Sequence, residues 1–587
     1  MGSSFSSLNK NILKKLDLYF DNLLRFELKQ IFYIVVNRVI KPLFPFVGFR
    51  KNPEVIGYLS VKSNINELFD IKDKWNIYES SLIIRDKYYI KLKSLLLEKK
   101  PYYLLEEEDF GYSDSEILNN LCRFHLMTEI TNQLELTDSE KITLIIEWID
   151  HISASRNLIW NGFNTSMRLI NWIKMLHSLN KEFQPTPERW QKLINSILIH
   201  LKIVRHNIEN HVPGNHVLIQ YFSVWLGYSL LAKINSSQQL LKWSNKKLNE
   251  EIGKEFYEDG LHFEYSFHYH IQATLFCLIW LRGKSTVGFR IKENVKRRLE
   301  KSVKLIDEFL FPDGTIPMLG DNCYTFLNSS LLEDINMCKE ISNQLFKSRT
   351  NKISHEVKVT KSYIISQLND SKLIFDIGNI GYRSNPGHGH SDLLSILYYD
   401  IEPLFIDPGT RTYGKSFDSL LQKKAISHNT LSIDNTDQAL LWGFFRWSYL
   451  PKKLNYSFQL DNKIYLCGEY QRYGRNVWFK HQREIYFTEG KIKLIDTITG
   501  SGTHEIAINF VLAPNIKLVN DKEVIILKGQ KNTWRLSVKS DNIFKLVEIP
   551  FEIFPAYNVS VPSNKLNMRF SKVTLPFKSE IEIVRMA

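Results

Sequence analysis

The sequence predicts a chain of two unlike halves, an all-α region followed by an antiparallel β region. From about Ser115 to Leu310, apolar residues recur at helical spacing in one segment after another, with polar or Gly/Pro breaks between them. After about Ser362 the texture changes to short β-branched and aromatic runs separated by turn residues. The length of 587 residues, with 44% hydrophobic and 13% aromatic content, exceeds one ordinary core and can fill two or three.

Residues 1–110 read as an N-terminal helical extension. The helical domain, 111–346, holds amphipathic segments at Ser139–Ser153, Thr165–Leu179, Pro187–Asn210, His216–Leu231, Gln238–Phe256, Ser266–Leu281 and Lys292–Leu310. Such a succession can form a bundle, a solenoid or an α/α toroid; periodicity does not choose, and no fixed-length repeat favours an ordinary solenoid. Residues 347–361 read as a linker. The β domain, 362–587, is expected to hold strands at Lys372–Ile377, Leu393–Tyr399, Lys463–Cys467, Val477–Phe487, Lys491–Ile498, Glu505–Leu512 and Glu523–Leu527. Two packed antiparallel sheets are the default for so many short strands.

A net charge of +13 favours an anionic partner: an acidic glycan, a nucleic acid or an anionic membrane surface. The lysine excess is scattered, and neither zinc-finger spacing nor an RNP-like aromatic motif occurs, which argues against a nucleic-acid binder. The cysteines, Cys122, Cys277, Cys323, Cys338 and Cys467, are odd in number and widely spaced, and read as free thiols rather than a disulfide framework. No secretory signal is evident, so the expected location is cytoplasmic or peripheral to the inner membrane, with the periplasm as the alternative. The apolar stretch Ile31–Ile40 is broken by Asn37 and Arg38 and falls short of the roughly 20 residues that span a bilayer. Peripheral membrane contact through the N-terminal helices is the remaining membrane expectation.

The densest chemistry lies in Pro386-Gly387-His388-Gly389-His390-Ser391-Asp392, followed by Ile406-Asp407-Pro408-Gly409-Thr410 and His428-Asn429-Thr430. Three imidazoles and a carboxylate over about forty residues form a candidate metal and acid/base constellation. In the helical half, Gly214-Asn215-His216 and the stretch from Glu264 through Ser266 to Tyr269-His270 are polar clusters at helix entrances. Asn215 and Ser266 could equally serve there as N-caps. Asp313-Gly314 and Gly320-Asp321-Asn322 are explained by turn chemistry alone.

These runs resemble, in order and spacing, the signature of the heparinase II/III family of polysaccharide lyases, over roughly residues 110 to 580. The resemblance implies an incomplete α/α toroid followed by a β-sandwich, with the active site at their junction, and it likens Asp313-Gly314 with Gly320-Asp321-Asn322 to a family loop at that junction. It maps Asn215-His216 and Tyr269-His270 onto the family's Asn-His and Tyr-His motifs, so Asn215, His216, Tyr269 and His388 become the catalytic candidates. It also divides the histidines: His388 faces the cleft, while His390, Asp407 and His428 hold one divalent ion, usually zinc, in a structural role. A regular strand would put positions 388 and 390 on one face, so this split needs Gly387 or Gly389 to bend the backbone. Arg168, Trp160, Glu264, Arg383 and Gln438 are candidates for binding sugar carboxylates and ring faces.

The activity implied is β-elimination on an acidic, uronate-containing polysaccharide. The charge growing on the substrate carboxylate must be stabilised, the C5 proton removed and the leaving oxygen protonated. The alternatives are a uronate C5-epimerase and a non-catalytic glycan-binding or assembly protein of surface polysaccharide synthesis. The sequence leaves the oligomeric state open.

Overall fold

The computed structural model describes residues 122–124, 136–151, 160–180, 182–231, 235–283, 289–322, 331–346, 357–413, 420–461, 463–474, 477–521, 524–556 and 559–586. The N-terminal extension assigned to 1–110 lies outside them.

The helices described are α1 (Asp138–His151), α2 (Gly162–Ser178), α3 (Pro187–His206), α4 (Asn215–Leu230), α5 (Asn235–Glu255), α6 (Phe267–Gly283), α7 (Glu293–Phe309) and α8 (Leu331–Phe346). Each expected segment is found within a few residues, whereas α8 was not anticipated. Helices α4 and α6 pack against each other at the centre. Every residue of α4 except His216 is buried, and α6 is buried on nearly every face. Their sequences are apolar all round, the pattern of a helix enclosed by others. By contrast, α7 buries one stripe, Val295, Leu299, Ser302, Val303, Leu305, Ile306 and Phe309. The two central helices present their N-termini, with Asn215 and Tyr269, at one end of the helical layer.

The β half begins with an antiparallel sheet in chain order: β1 (Val357–Val359), β2 (Tyr363–Leu368), β3 (Ser371–Asp376), β4 (Ile396–Asp400) and β5 (Glu402–Phe405). Because β1 already pairs with β2, the linker assigned to 347–361 ends before Val357. The remaining strands are β6 (Leu431–Ile433), β7 (Leu440–Gly443), β8 (Arg446–Ser448), β9 (Lys452–Leu460), β10 (Ile464–Gly474), β11 (Val477–Thr488) and β12 (Lys491–Gly500). They continue with β13 (Thr503–Val511), β14 (Lys517–Asp521), β15 (Val524–Lys528), β16 (Thr533–Ser540), β17 (Phe544–Ala556), β18 (Val559–Thr574) and β19 (Phe577–Arg585). An eight-stranded sheet runs β14-β15-β16-β19-β12-β11-β10-β9, a four-stranded one β17-β18-β13-β6, and β7-β8 is a separate hairpin.

The first sheet is the layer between the two halves. Tyr363, Ile365, Ile374, Leu397 and Tyr399 join the helical core, while Ile364, Leu373, Phe375, Ile396 and Tyr398 join the β core. This is the period-2 alternation of strands buried on both faces, and β3 and β4 are accordingly buried along their whole length. Each such side chain contributes roughly 1.5–3 kcal/mol on burial, so the junction is a packed interface and the loops at its edge are held in place. The architecture is an α/α toroid followed by a β-sandwich. Cys122, Cys277, Cys338 and Cys467 are free thiols, and Cys323 lies outside the described residues. Among the described residues no helix is long and apolar enough to cross a membrane.

Candidate active site at the domain junction

Helix α4 starts on Gly214, whose φ of 152° and lack of a side chain leave room for a carboxylate; a Cβ there would collide with Glu264 Oε1. Glu264 Oε1 accepts a hydrogen bond from Asn215 N at 3.1 Å, so an acid from another segment caps α4. Asn215 is therefore the first helical residue and not its own cap. Its side-chain Oδ1 is buried with no protein partner. Burial raises the pKa of Glu264, against the opposing influence of His388, the Asn215 bond and His216. Glu264 thus positions Asn215 through Oε1, while its buried Oε2 has no hydrogen-bond partner.

Ser266 does cap α6. Its Oγ accepts from Tyr269 N at 3.3 Å and donates to Asp321 O at 2.6 Å. This fixes Tyr269, whose ring lies 4.2 Å from that of His388. The Tyr269 hydroxyl is 2.9 Å from the hydroxyl of Tyr413. Tyr413 was missed in the sequence, although it closely follows Asp407-Pro408-Gly409-Thr410.

Asp321, assigned above to a turn, is the centre of the site. It accepts from His388 Nδ1 at 2.8 Å, from His390 Nε2 at 2.8 Å and from Lys423 Nζ at 2.9 Å, and it is fully buried. Lys423 also donates to Gly387 O at 2.7 Å. Burial alone would raise the pKa of Asp321, but the Lys423 ammonium and the two imidazole bonds outweigh it and hold the carboxyl well below the usual range. The two histidines thus share one carboxylate through different ring nitrogens. The chain from 386 to 395 is loop, not strand, and Gly389 is required there because a Cβ would sit 2.6 Å from Gly381 N. Trp447 Nε1 donates to Gly389 O at 3.2 Å and locks the loop from behind.

His390, Asp392 and His428 each offer one ligand atom, all within 4.8 Å of one another. His390 Nδ1 and His428 Nε2 are buried with no protein partner. Their other nitrogens are fixed by carboxylates, His390 by Asp321 and His428 Nδ1 by Asp407 Oδ2 at 2.7 Å. This suits a divalent ion, whose imidazole ligands characteristically donate their second N–H to a carboxylate. Asp392 is thus the carboxylate grouped with the two imidazoles, whereas Asp407, expected among the ligands, hydrogen-bonds His428 Nδ1. Burial reinforced by Asp407 pushes Asp392 up to about 7, and burial pushes His390 down to about 4 despite Asp321.

Other predicted residues lie elsewhere. Arg168 is fully buried, donating to His200 Nε2 at 2.9 Å and Cys122 O at 2.5 Å, with Trp148 at 4.1 Å and Trp160 at 5.1 Å. Both Arg168 and Trp160 therefore belong to an interior cluster, not a sugar-binding surface. Gln438 is buried too, and its amide is spent on Leu393 N at 2.8 Å and Leu393 O at 2.9 Å, holding the loop beside Asp392. His216 bonds Glu209 at 2.8 Å and stacks on Phe163 at 3.8 Å. Arg383 is exposed on the loop that Asn385 ties to Pro213 O at 2.8 Å, at the entrance to Asn215.

The family model described as heparinase II/III-like, C-terminal, matches residues 350–581, and the one described as heparinase II/III N-terminus matches residues 75–344. The chain belongs to the heparinase II/III-like family. The N-terminal match starts inside the stretch assigned to an extension. Among solved structures, the crystal structure of heparinase III is similar with a TM-score of 0.71 at 15% identity, over 92% of this chain and 88% of that one. A heparan sulfate lyase HepC mutant from Pedobacter heparinus gives 0.60 at 15% identity, over 90% and 88%. The heparinase III-BT4657 gene product gives 0.60 at 16% identity, over 85% and 84%. These likenesses establish the shared fold. No curated protein matches the sequence significantly.

Proposed function

We propose that this heparinase II/III-like protein is a polysaccharide lyase that cleaves an acidic, uronate-containing glycan by β-elimination. The observation that carries the reading is the convergence of Tyr269, Tyr413 and His388 at the domain junction, with Asn215 at the N-terminus of the neighbouring central helix. With Nδ1–H donated to Asp321, the neutral tautomer of His388 carries its lone pair on Nε2, the atom suited to take the C5 proton. Tyr269 then protonates the leaving oxygen and is reprotonated through its hydrogen bond to Tyr413, which recovers a proton from solvent as His388 releases the C5 proton to solvent. The Asn215 amide, immobilised at the start of α4 with the helix dipole behind it, stabilises the charge that grows on the uronate carboxylate. A divalent ion held by His390, Asp392 and His428 would fix the loop that carries His388. Exposed Arg383 and the net positive charge favour a polyanion.

Purified protein offered alginate, heparan sulfate, chondroitin and hyaluronan should release an unsaturated product from at least one, read by ultraviolet absorbance. Solvent deuterium entering C5 without chain cleavage would instead identify an epimerase, and no change in any glycan would refute an enzymatic role on this panel.

A further inference from the structure

We infer that Phe445, at the tip of the β7–β8 hairpin, is the stacking platform for a sugar ring next to the scissile bond and so a determinant of substrate choice; this rests on the lyase reading above. The hairpin closes tightly, with Gly443 opposite Arg446 and a register irregularity beside it. It carries a run of large aromatic rings with opposite fates. Phe444 and Trp447 are buried and anchor it, whereas Phe445 is 43% exposed.

Phe445 is held from one side. Its ring meets His388 edge-on at 5.6 Å, Phe444 at 4.8 Å and Tyr413 at 5.6 Å, and Lys423 Nζ lies 5.4 Å from its centroid. The ring also packs over the His388 loop, where a Cβ at Gly387 would lie at an ordinary contact distance of 3.5 Å from it. The ring is thus immobilised against two of the groups assigned to proton transfer while still presenting surface to solvent. A pyranose has C–H faces that match the negative face of an aromatic ring, and a rigid phenyl gains this contact with little loss of side-chain freedom. Exposed Arg446 follows in sequence and, over Trp442 at 4.9 Å, offers a cation for acidic groups of the same sugar.

The test compares wild type with Phe445→Ala, Phe445→Leu and Phe445→Trp in the full chain, each checked by thermal melting. Unsaturated-product kinetics form one arm. The other is equilibrium binding of alginate, heparan sulfate, chondroitin and hyaluronan hexasaccharides in a Tyr269→Phe background, which needs no turnover. Stacking predicts that Ala and Leu weaken binding and raise KM about tenfold, with kcat falling by less, and that Trp restores both. Leu as good as Phe would mean that Phe445 only shields the site, and unchanged binding in Phe445→Ala overturns the proposal outright. If wild type forms no unsaturated product, the lyase reading fails by itself. The binding arm still decides the platform, and no affinity of any hexasaccharide for the Tyr269→Phe parent overturns it as well.

Discussion

Replacing Asp321 by Asn should damage stability and turnover together, and the two losses can be separated. The substitution keeps the shape of the side chain but removes the charge facing Lys423, whose ammonium is fully buried with Asp321 at 2.9 Å as its counter-ion. Removing one partner of a buried pair costs about 3–5 kcal/mol, because the other charge is left uncompensated. For a domain of this size, about 2–4 °C in Tm per kcal/mol converts this into a fall of roughly 6–20 °C. His388 Nδ1–H loses its charged acceptor at the same time, so ring orientation and tautomer are no longer fixed. Turnover should fall by about 10²–10⁴, the range for a general acid or base. Adding Lys423→Met removes the stranded ammonium and should recover much of the Tm, but not turnover. Melting curves and initial rates on wild type, Asp321→Asn, Lys423→Met and the double variant provide the assay. A single variant with wild-type Tm and rate, or a double variant that regains rate along with Tm, would refute the argument.

Tyr269→Phe should abolish nearly all turnover while leaving hexasaccharide binding intact, and Tyr413→Phe should lower kcat less severely; a rate within a few-fold of wild type for Tyr269→Phe would remove it from the chemistry. Elemental analysis after dialysis should find one divalent ion per chain. Asp392→Asn and His428→Ala should lose it along with thermal stability, and Asp407→Asn should weaken it by about 10–100-fold; full occupancy in Asp392→Asn would exclude that ligand. Asp496 is buried against Arg483 at 2.8 Å and His481 at 2.7 Å. Burial would raise its pKa, but Arg483 and the His481 bond hold it well below the ordinary value. The stability this depressed pKa contributes is fully present above the unfolded aspartate value of about 4 and is lost as pH falls below it. Asp496→Asn should therefore flatten the acid limb of Tm against pH and lower Tm at neutrality, and an unaltered acid limb would count against the pair. Finally, kcat/KM on a polyanionic glycan should decline with salt, since exposed charges are screened beyond roughly 8 Å at physiological ionic strength; a salt-independent value would leave the charge argument without support.

Repeating local patterns were enough to determine the two halves of this chain, because helical and strand periodicity are properties of a few consecutive residues. Apolar positions all round α4 and α6 marked enclosed helices, and the polar clusters at their entrances marked where Asn215 and Tyr269 would emerge. The His-Gly-His motif was legible for a similar reason, since glycines beside histidines announce an irregular backbone. Helix α8 escaped because its seven isolated predecessors were clearer than its own mixed pattern. What only the tertiary structure decided is which polar groups meet. Asp321 reaches His388 across 67 residues and Lys423 across 102, and Tyr269 reaches Tyr413 across 144. No local period encodes these pairings. Arg168 and Gln438 read as surface ligands because a buried polar side chain has the same letter as an exposed one, and only the packing around it shows that its hydrogen bonds are already spent. Sequence could not rank Asp392 against Asp407 for the same reason. Both acids stand beside a motif histidine, and the loop between Gly387 and Ser395, pinned by Trp447 and Gln438, determines which carboxylate faces the two unpaired imidazole nitrogens and which one lies behind them.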